Sequence, residues 1–402
     1  MPSPLNPADL AQRDSFDVAG TPRVVFGNGT VARAGELTKA IGGRRALLVT
    51  DSGIVQAGHA SRVEQSLQAA GLEVAVFSQV HENPTTRDVD ACLSLARAAR
   101  IDCVIGLGGG SAMDTAKGTN FLLTNGGRMQ DYWGVGKATK PMLPFVAIPT
   151  TTGTGSEMQS AALIADEVTH QKMACLDAKA MARVAILDPA LTLSQPRRVA
   201  ACTGLDAVAH AVETAVTTKR TEESLALSRE ALRLCVAALP QVLATPEDLP
   251  ARARMQLGSA FAGAAIERSM LGAAHAAANP LTARFGVVHG IAVGVMLPHV
   301  VRFNAQMPTV RQTYAEIAVA AGLVERFDSP ECAVDRLVKR LEDLLWLIEG
   351  GPLTLATLDV RREVIPALAE EAAKQWTAGF NPRSVGVGDF VGLYEAAFAP
   401  RA

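Results

Sequence analysis

The stretch CVIGLGGGSAMDTAK, Cys103–Lys117, runs from an apolar, β-branched segment into three consecutive glycines and then into residues that favour a helix. Glycines let backbone N–H groups approach a phosphate closely, and the helix that follows adds the positive end of its dipole. A strand, a glycine-rich turn and a helix in that order place a ligand at the carboxyl end of a parallel strand. The spacing excludes a Walker A loop, because Lys117 is followed by Gly118 rather than by Ser or Thr. Read from Gly106 as GxGxxS, the turn is a weak signal alone, since many tight turns between strand and helix are glycine-rich for steric reasons.

Working outward, strand signals at Arg23–Phe26, Ala46–Thr50, Glu73–Phe77, Asp102–Leu107 and Phe145–Ile148 alternate with helical stretches. The helices are expected at Val31–Ile41, stopped by Gly42 and Gly43, at Gln56–Ala70 and at Val89–Ala99. Alternating β and α segments with nearly continuous apolar strands predict a parallel sheet covered by helices on both faces. The character changes after LDPALTLSQP, Leu187–Pro196. Long segments rich in Ala, Leu, Glu and Arg follow, as in Thr221–Leu239, Ala251–Ala265, Val310–Ala321 and Cys332–Leu347, and strand signals disappear. The expectation is a Rossmann-like α/β domain over residues 1–190 and an all-helical domain over residues 191–402, with the active site in the cleft between them.

A second loop, PTTTGTGSE at Pro149–Glu157, directly follows the strand Phe145–Ile148. Its hydroxyls can serve ribose, phosphate or an amide; the competing reading is a Thr-rich turn that caps a helix. Asp51 follows the strand Ala46–Thr50, where a carboxylate accepts from a ribose 2′-OH and repels a 2′-phosphate, or else simply caps the next helix.

Four residues suggest a metal. Asp206 and His210 in GLDAVAHAVET are four apart, one turn of a helix on the same face, and His275 and His289 lie in apolar, small-residue segments. A lone Asp-x3-His pair is commonly a solvated or hydrogen-bonded helix face. Unpaired polar side chains cost most in apolar surroundings, however, and a shared cation would give all four groups a partner. Imidazoles with one carboxylate suit a borderline divalent metal such as Fe(II), Zn(II) or Co(II).

These motifs together resemble the iron-containing (group III) alcohol dehydrogenases over nearly the whole chain. The matching pieces are NPTT at Asn83–Thr86, GGGSAMDTAK, PTTTGTGSE, LDP at Leu187–Pro189, GLDAVAHAVE, His275, His289 with VMLPHV after it, and Asn381-Pro382-Arg383. The resemblance implies an NAD-linked alcohol dehydrogenase or aldehyde reductase, with NADP less favoured, in which Asp206, His210, His275 and His289 ligate Fe(2+), or Zn(2+) in its place. It implies that Gly109, Gly110 and Ser111 hold the pyrophosphate, with Asp114 beside the nicotinamide end. Asn83, Thr150, Thr151 and Thr154 would line the cofactor, Lys172 would reach the ribose region, and Asp51 matches an aspartate of NAD-using members. Where the family commonly has a second histidine four residues after the first late one, this chain has Asn279, which hydrogen-bonds but does not shuttle protons. A homodimer or larger assembly and a small alcohol or aldehyde substrate are also implied. Pocket walls near Ala161, Ile266, Leu271 and Phe380 are expected to be small and apolar.

Composition narrows the alternatives. Of 402 residues, 38 are Lys or Arg and 40 are Asp or Glu, a formal charge of −2. With no basic run and no polybasic patch, neither a nucleic-acid partner nor a membrane surface is expected. Six scattered cysteines without a CxxC pair read as reduced thiols in the cytoplasm, and the N-terminus lacks the pattern of a signal peptide. A glycerol-type polyol dehydrogenase and a dehydroquinate-synthase-like enzyme share the two-domain plan. A non-catalytic nucleotide-binding protein would keep the fold without the reaction.

Overall fold

The computed structural model describes residues 6–169, 171–351 and 353–398. The chain divides into two compact units: one is Gln12–Gln195, and the other joins the segment ending at Ala11 to the chain from Pro196 onward. A short N-terminal helix, α1 (Pro7–Leu10), belongs to the second.

Among its described residues the first unit carries ten strands: β1 (Phe16–Val18), β2 (Arg23–Phe26), β3 (Arg45–Val49), β4 (Glu73–Phe77), β5 (Cys103–Gly108), β6 (Gly134–Val135), β7 (Phe145–Pro149), β8 (Ala161–Ala165), β9 (Lys172–Leu176) and β10 (Val184–Leu187). Its helices are α2 (Ala34–Ala40), α3 (Ser52–Gln56), α4 (His59–Ala69), α5 (Thr86–Ala98) and α6 (Gly110–Asn125). Seven strands form one sheet in the order β1-β2-β10-β7-β5-β3-β4, parallel throughout except for β1 at the edge. The remaining three form a small sheet, β6-β9-β8. Successive strand residues point to opposite faces, and each face has its own core. Leu48, Ile105 and Ile186 pack with Leu37, Val63 and Leu67, while Leu47, Val49, Val104 and Phe145 pack with Cys92, Ala96, Met113 and Ala116.

Chain order reverses direction between β3 and β5: β4 lies outside β3, and β7 and β10 lie beyond β5. The crevice beyond the carboxyl ends of β3 and β5 is therefore the topological switch point, where open α/β sheets bind ligands. Asp51 follows β3 there, and the triple glycine closes β5.

The structure departs from the sequence reading in definite places. Val184–Leu187 forms an interior strand that the sequence reading does not include. β8 and β9 form an antiparallel pair made largely of Ala, Leu, Met and Cys, residues with little strand preference of their own. The helix expected over Gln56–Ala70 is broken at Gly58, whose φ of +78° is left-handed. The one expected over Val31–Ile41 begins as a 3₁₀ turn, Thr30–Arg33, before α2.

The second unit continues with α7 (Arg197–Thr214), α8 (Glu222–Ala244), α9 (Leu249–Ser269), α10 (Ala273–Phe285), α11 (His289–Asn304), α12 (Pro308–Ala320), α13 (Pro330–Glu349), α14 (Ile365–Ala373) and α15 (Val387–Ala396). α8 runs on through Pro240 rather than stopping at Leu239. Proline offers no N–H to the carbonyl four residues earlier, and that carbonyl, of Val236, accepts instead from Arg340 Nη2. α7 is buried on nearly every side from Ala200 to Thr214 and packs against α8, α9 and α11. The approach of α11 is set by Gly290: a Cβ there would lie 2.0 Å from the carbonyl oxygen of Cys202 on α7.

Gly290→Ala should therefore force α7 and α11 apart. We expect a loss of about 1–3 kcal/mol in chemical denaturation, the usual cost of overpacking. Unchanged stability would show that the helix pair yields freely.

Candidate active site

α7 presents Asp206 and His210 one turn apart, α10 supplies His275 from its first turn, and α11 begins with His289. The Nε2 atoms of His275, His210 and His289 lie 3.3, 3.4 and 3.9 Å from Asp206 Oδ1. The rings of His210 and His275 stack with centroids 4.8 Å apart. Asp206, His210 and His275 are buried, with potential ligand atoms all within 4.8 Å of one another; the His289 side chain is about one-third exposed, at 36%. The structure thus brings all four predicted residues together.

Burial opposes ionisation of Asp206, yet the three imidazoles hold its carboxyl well below the usual carboxylate range. Burial likewise favours the neutral form of His275, but Glu213 and Asp206 overcome it and raise the imidazole to about 9. Glu213, on the same face of α7, receives His275 Nδ1 on Oε2 and the Ala274 N–H on Oε1 at 2.7 Å. The sequence reading passed over Glu213, although its position three residues after His210 continues the Asp206–His210 stripe. Two buried carboxylates beside three imidazoles demand positive charge, and nitrogen and oxygen donors converging through Nε2 and Oδ1 suit a divalent cation. The residues present fit such a group.

Asn279 lies one turn beyond His275 on α10, half-buried, and its Nδ2 donates to Gln375 Oε1 at 3.0 Å. That leaves Oδ1 as the open acceptor. Ile266 is buried, whereas Leu271 and Phe380 are partly so.

In the α/β unit, Gly109 caps α6 without a side chain to satisfy the first-turn N–H groups. The threonine loop packs on it: Cβ atoms at Gly109 and Gly110 would come 3.3 Å from Thr151 and 2.9 Å from Thr154. The Asn83 N–H donates to Ser111 Oγ at 3.3 Å, and Lys172 Nζ donates to Asn83 Oδ1 at 3.4 Å. Three of the expected cofactor residues, from separate segments, therefore meet. Asn83 holds a left-handed φ of +53°, a conformation asparagine tolerates. Asp51 caps α3 through the Ile54 N–H at 3.0 Å, and its Oδ2 faces Gly108. Thr150 is buried at the end of β7, next to the glycine loop. Burial raises the Asp114 carboxyl to about 6 against the pull of Lys117 and Lys172.

Lys117, the last residue of GGGSAMDTAK, turns toward the second loop. Its buried Nζ donates to the carbonyls of Ser156, Gln159 and Ala161 at 2.7, 2.7 and 3.0 Å, and to Ser156 Oγ at 3.0 Å. One ammonium thereby ties the second loop to the helix of the first. Glu157 beside it is buried, and its carboxyl is raised by desolvation to about 7.

The comparisons with known proteins agree with this geometry. A family profile described as iron-containing alcohol dehydrogenase matches residues 21–189, and the C-terminal profile of the Fe-containing alcohol dehydrogenase family matches residues 200–398. The NAD-dependent methanol dehydrogenase of Bacillus methanolicus is 35% identical over 376 residues, 94% of this chain and 98% of that protein. Lactaldehyde reductase of Escherichia coli is 34% identical over 375 residues, 93% of this chain and 97% of that protein. A solved structure of 1,3-propanediol oxidoreductase superposes with a TM-score of 0.90 at 32% identity, covering 96% of this chain and all of that one.

Two expectations follow. Lys117→Met removes the charged donor from the second loop and should cost about 3 kcal/mol or more in denaturant unfolding; a wild-type midpoint would mean that the loop holds itself. The Glu157 carboxyl keeps a proton in the fold up to about pH 7, whereas the unfolded chain releases it near about 4.3. Over that window the folded state binds more protons, so this group's contribution falls as pH rises. Glu157→Gln should flatten the decline of Tm between about pH 5 and about pH 8, read by scanning calorimetry. A slope equal to wild type would refute the assignment.

Proposed function

The chain belongs to the iron-containing alcohol dehydrogenase family, and from that premise we propose an NAD-linked oxidoreductase that interconverts a small primary alcohol and its aldehyde. The observation that carries this reading is the convergence of three imidazole Nε2 atoms on the buried Asp206 Oδ1. Asp206, His210, His275 and His289 would hold Fe(2+), or Zn(2+) in its place, since affinity order alone does not select iron. When bound, the cation supplies Lewis acidity toward a hydroxyl or carbonyl oxygen, and the nicotinamide gives or takes the hydride.

The chain's own residues supply binding and orientation. The N–H groups of Gly109, Gly110 and Ser111 at the start of α6 would hold the pyrophosphate, helped by the helix dipole. Thr150, Thr151 and Thr154 would line the cofactor, with Asp114 toward the nicotinamide end. The Asn83–Lys172 pair would meet the ribose region. Asp51 keeps one carboxylate oxygen beyond its cap, which favours a 2′-OH over a 2′-phosphate and hence NAD over NADP. Asn279 offers Oδ1 to a substrate hydroxyl or a carboxamide while Gln375 holds its Nδ2. An amide does not titrate here, so the alcohol's proton leaves by water or ribose hydroxyls.

The substrates in the names of the relatives, methanol, lactaldehyde and 1,3-propanediol, support a compound of a few carbons. No helix among the described residues is long and apolar enough to cross a membrane. Six scattered cysteines without a CxxC pair support a reducing cytoplasm, and a homodimer or larger assembly completes the reading.

Anaerobically purified, Fe(2+)-loaded protein should oxidise NADH with short aldehydes and prefer it to NADPH, while His275→Ala should lose bound metal and turnover together. Full activity in that variant would overturn the ligand assignment. Asn279→His introduces a group that titrates near pH 6.5, so the pH profile of kcat should gain or shift a limb. An identical profile would remove position 279 from proton transfer.

A further inference from the structure

α10 starts without a side-chain cap of its own, because the residue before it is Gly272. Two side chains from elsewhere in the helical unit do the capping. Asn381 Oδ1 accepts from the Ala273 N–H at 3.3 Å, and Glu213 Oε1 accepts from the Ala274 N–H at 2.7 Å. Both are buried, and Asn381 is itself locked by reciprocal amide bonds with Asn304 at 2.8 and 3.0 Å. A Cβ at residue 272 would lie 3.0 Å from Asn381 Oδ1 and 3.0 Å from Glu213 Oε1, so only glycine leaves this approach unstrained. The next residue of the helix is His275, and the other oxygen of the same Glu213 carboxylate meets its Nδ1.

We infer that Glu213 is a positioning residue for the metal ligand His275, setting both the start of the helix that carries it and the nitrogen that carries its proton. With both oxygens of Glu213 accepting, Nδ1 is the ring nitrogen that holds the proton between imidazole and carboxylate. Once the ring is neutral, Nε2 is the nitrogen left to ligate a cation, 3.3 Å from Asp206 Oδ1 with the other imidazoles around it. The negative charge behind the ring also makes that nitrogen a better donor to a cation. The inference rests on the metal reading of the cluster.

Glu213→Gln separates the two tasks. Glutamine keeps the shape but has one oxygen. Spent on the Ala274 N–H, that oxygen leaves the amide NH2 facing Nδ1, which must then accept, and the ring proton moves to Nε2 where the cation would bind. Cobalt(II) titration of metal-free wild type, His275→Ala and Glu213→Gln, followed by visible d–d absorption and by competition with a chelator, reads this without turnover. We expect the Glu213→Gln dissociation constant to rise about 10–100-fold, with an altered absorption band and a metal-free melting temperature close to wild type. Wild-type cobalt affinity and spectrum in Glu213→Gln, beside loss of binding in His275→Ala, would overturn this inference and leave the metal reading standing. Failure of wild type to bind cobalt would remove both. If Glu213→Gln does not fold, nitrogen-15 NMR of the zinc-loaded wild type decides: a proton on Nδ1 and metal on Nε2 of His275 upholds the inference, and the reverse overturns it.

Discussion

A carboxylate buried on a helix that is apolar on nearly all sides must be matched by positive charge close by, and Asp206 sets that demand for the helical unit. The packing around α7 is arranged to meet it. α11 comes within backbone contact through Gly290, which places His289 beside Asp206. α10 is anchored at its first two N–H groups, which places His275 there as well. His210 follows from helical geometry alone, one turn along α7. Of the three imidazoles, two therefore depend on tertiary constraints that are steric or hydrogen-bonded rather than hydrophobic, and these constraints are stiff.

The α/β unit solves a related problem with the opposite sign. A loop leaving the end of a strand has backbone carbonyls with no ladder partner, and burying them requires a donor. Lys117 provides one ammonium for three carbonyls and a hydroxyl. The cost of dehydrating the ammonium is offset by short, charge-assisted hydrogen bonds, which are about twice as strong as neutral ones. The glycine loop and the threonine loop thereby behave as one surface at the switch point of the sheet. In both units a buried ion organises segments far apart in sequence, and the groups proposed to bind ligands sit next to it.

Much of this was legible in the residues. The βαβα alternation, the turn after β5 and the Asp206–His210 helix face all rest on local periodicity, which survives folding unchanged. Local pattern failed where long-range context decides. β8 and β9 hold Ala, Cys and Met in a sheet by pairing and burial, not by propensity. α8 passes Pro240 because Arg340, a hundred residues later, satisfies the carbonyl that proline leaves open. Glu213 has the correct spacing for its face, but its importance comes from Ala274 and His275, which only the fold brings to it. Asp51 illustrates a false choice: one oxygen caps α3 as a turn aspartate does, while the other faces Gly108 at the glycine loop.

In the proposed reaction, Asn279 would separate the proton route from the metal set. Position 279 is one helical turn from His275, so a side chain there shares the face of the ligand without belonging to it. Replacing an imidazole by an amide at that point removes a titratable group but keeps a hydrogen-bond acceptor of similar reach. The bond to Gln375 then becomes informative, because it engages Nδ2 and so fixes Oδ1 as the acceptor that remains. An acceptor held in that way can orient a hydroxyl yet cannot relay its proton onward, since relay needs a group that both takes and gives. In the proposed reaction, positioning would thus be kept on α10, and proton transfer would fall to groups that exchange with solvent. That reaction would then be constrained geometrically at His275 and Asn279, and chemically only where water reaches.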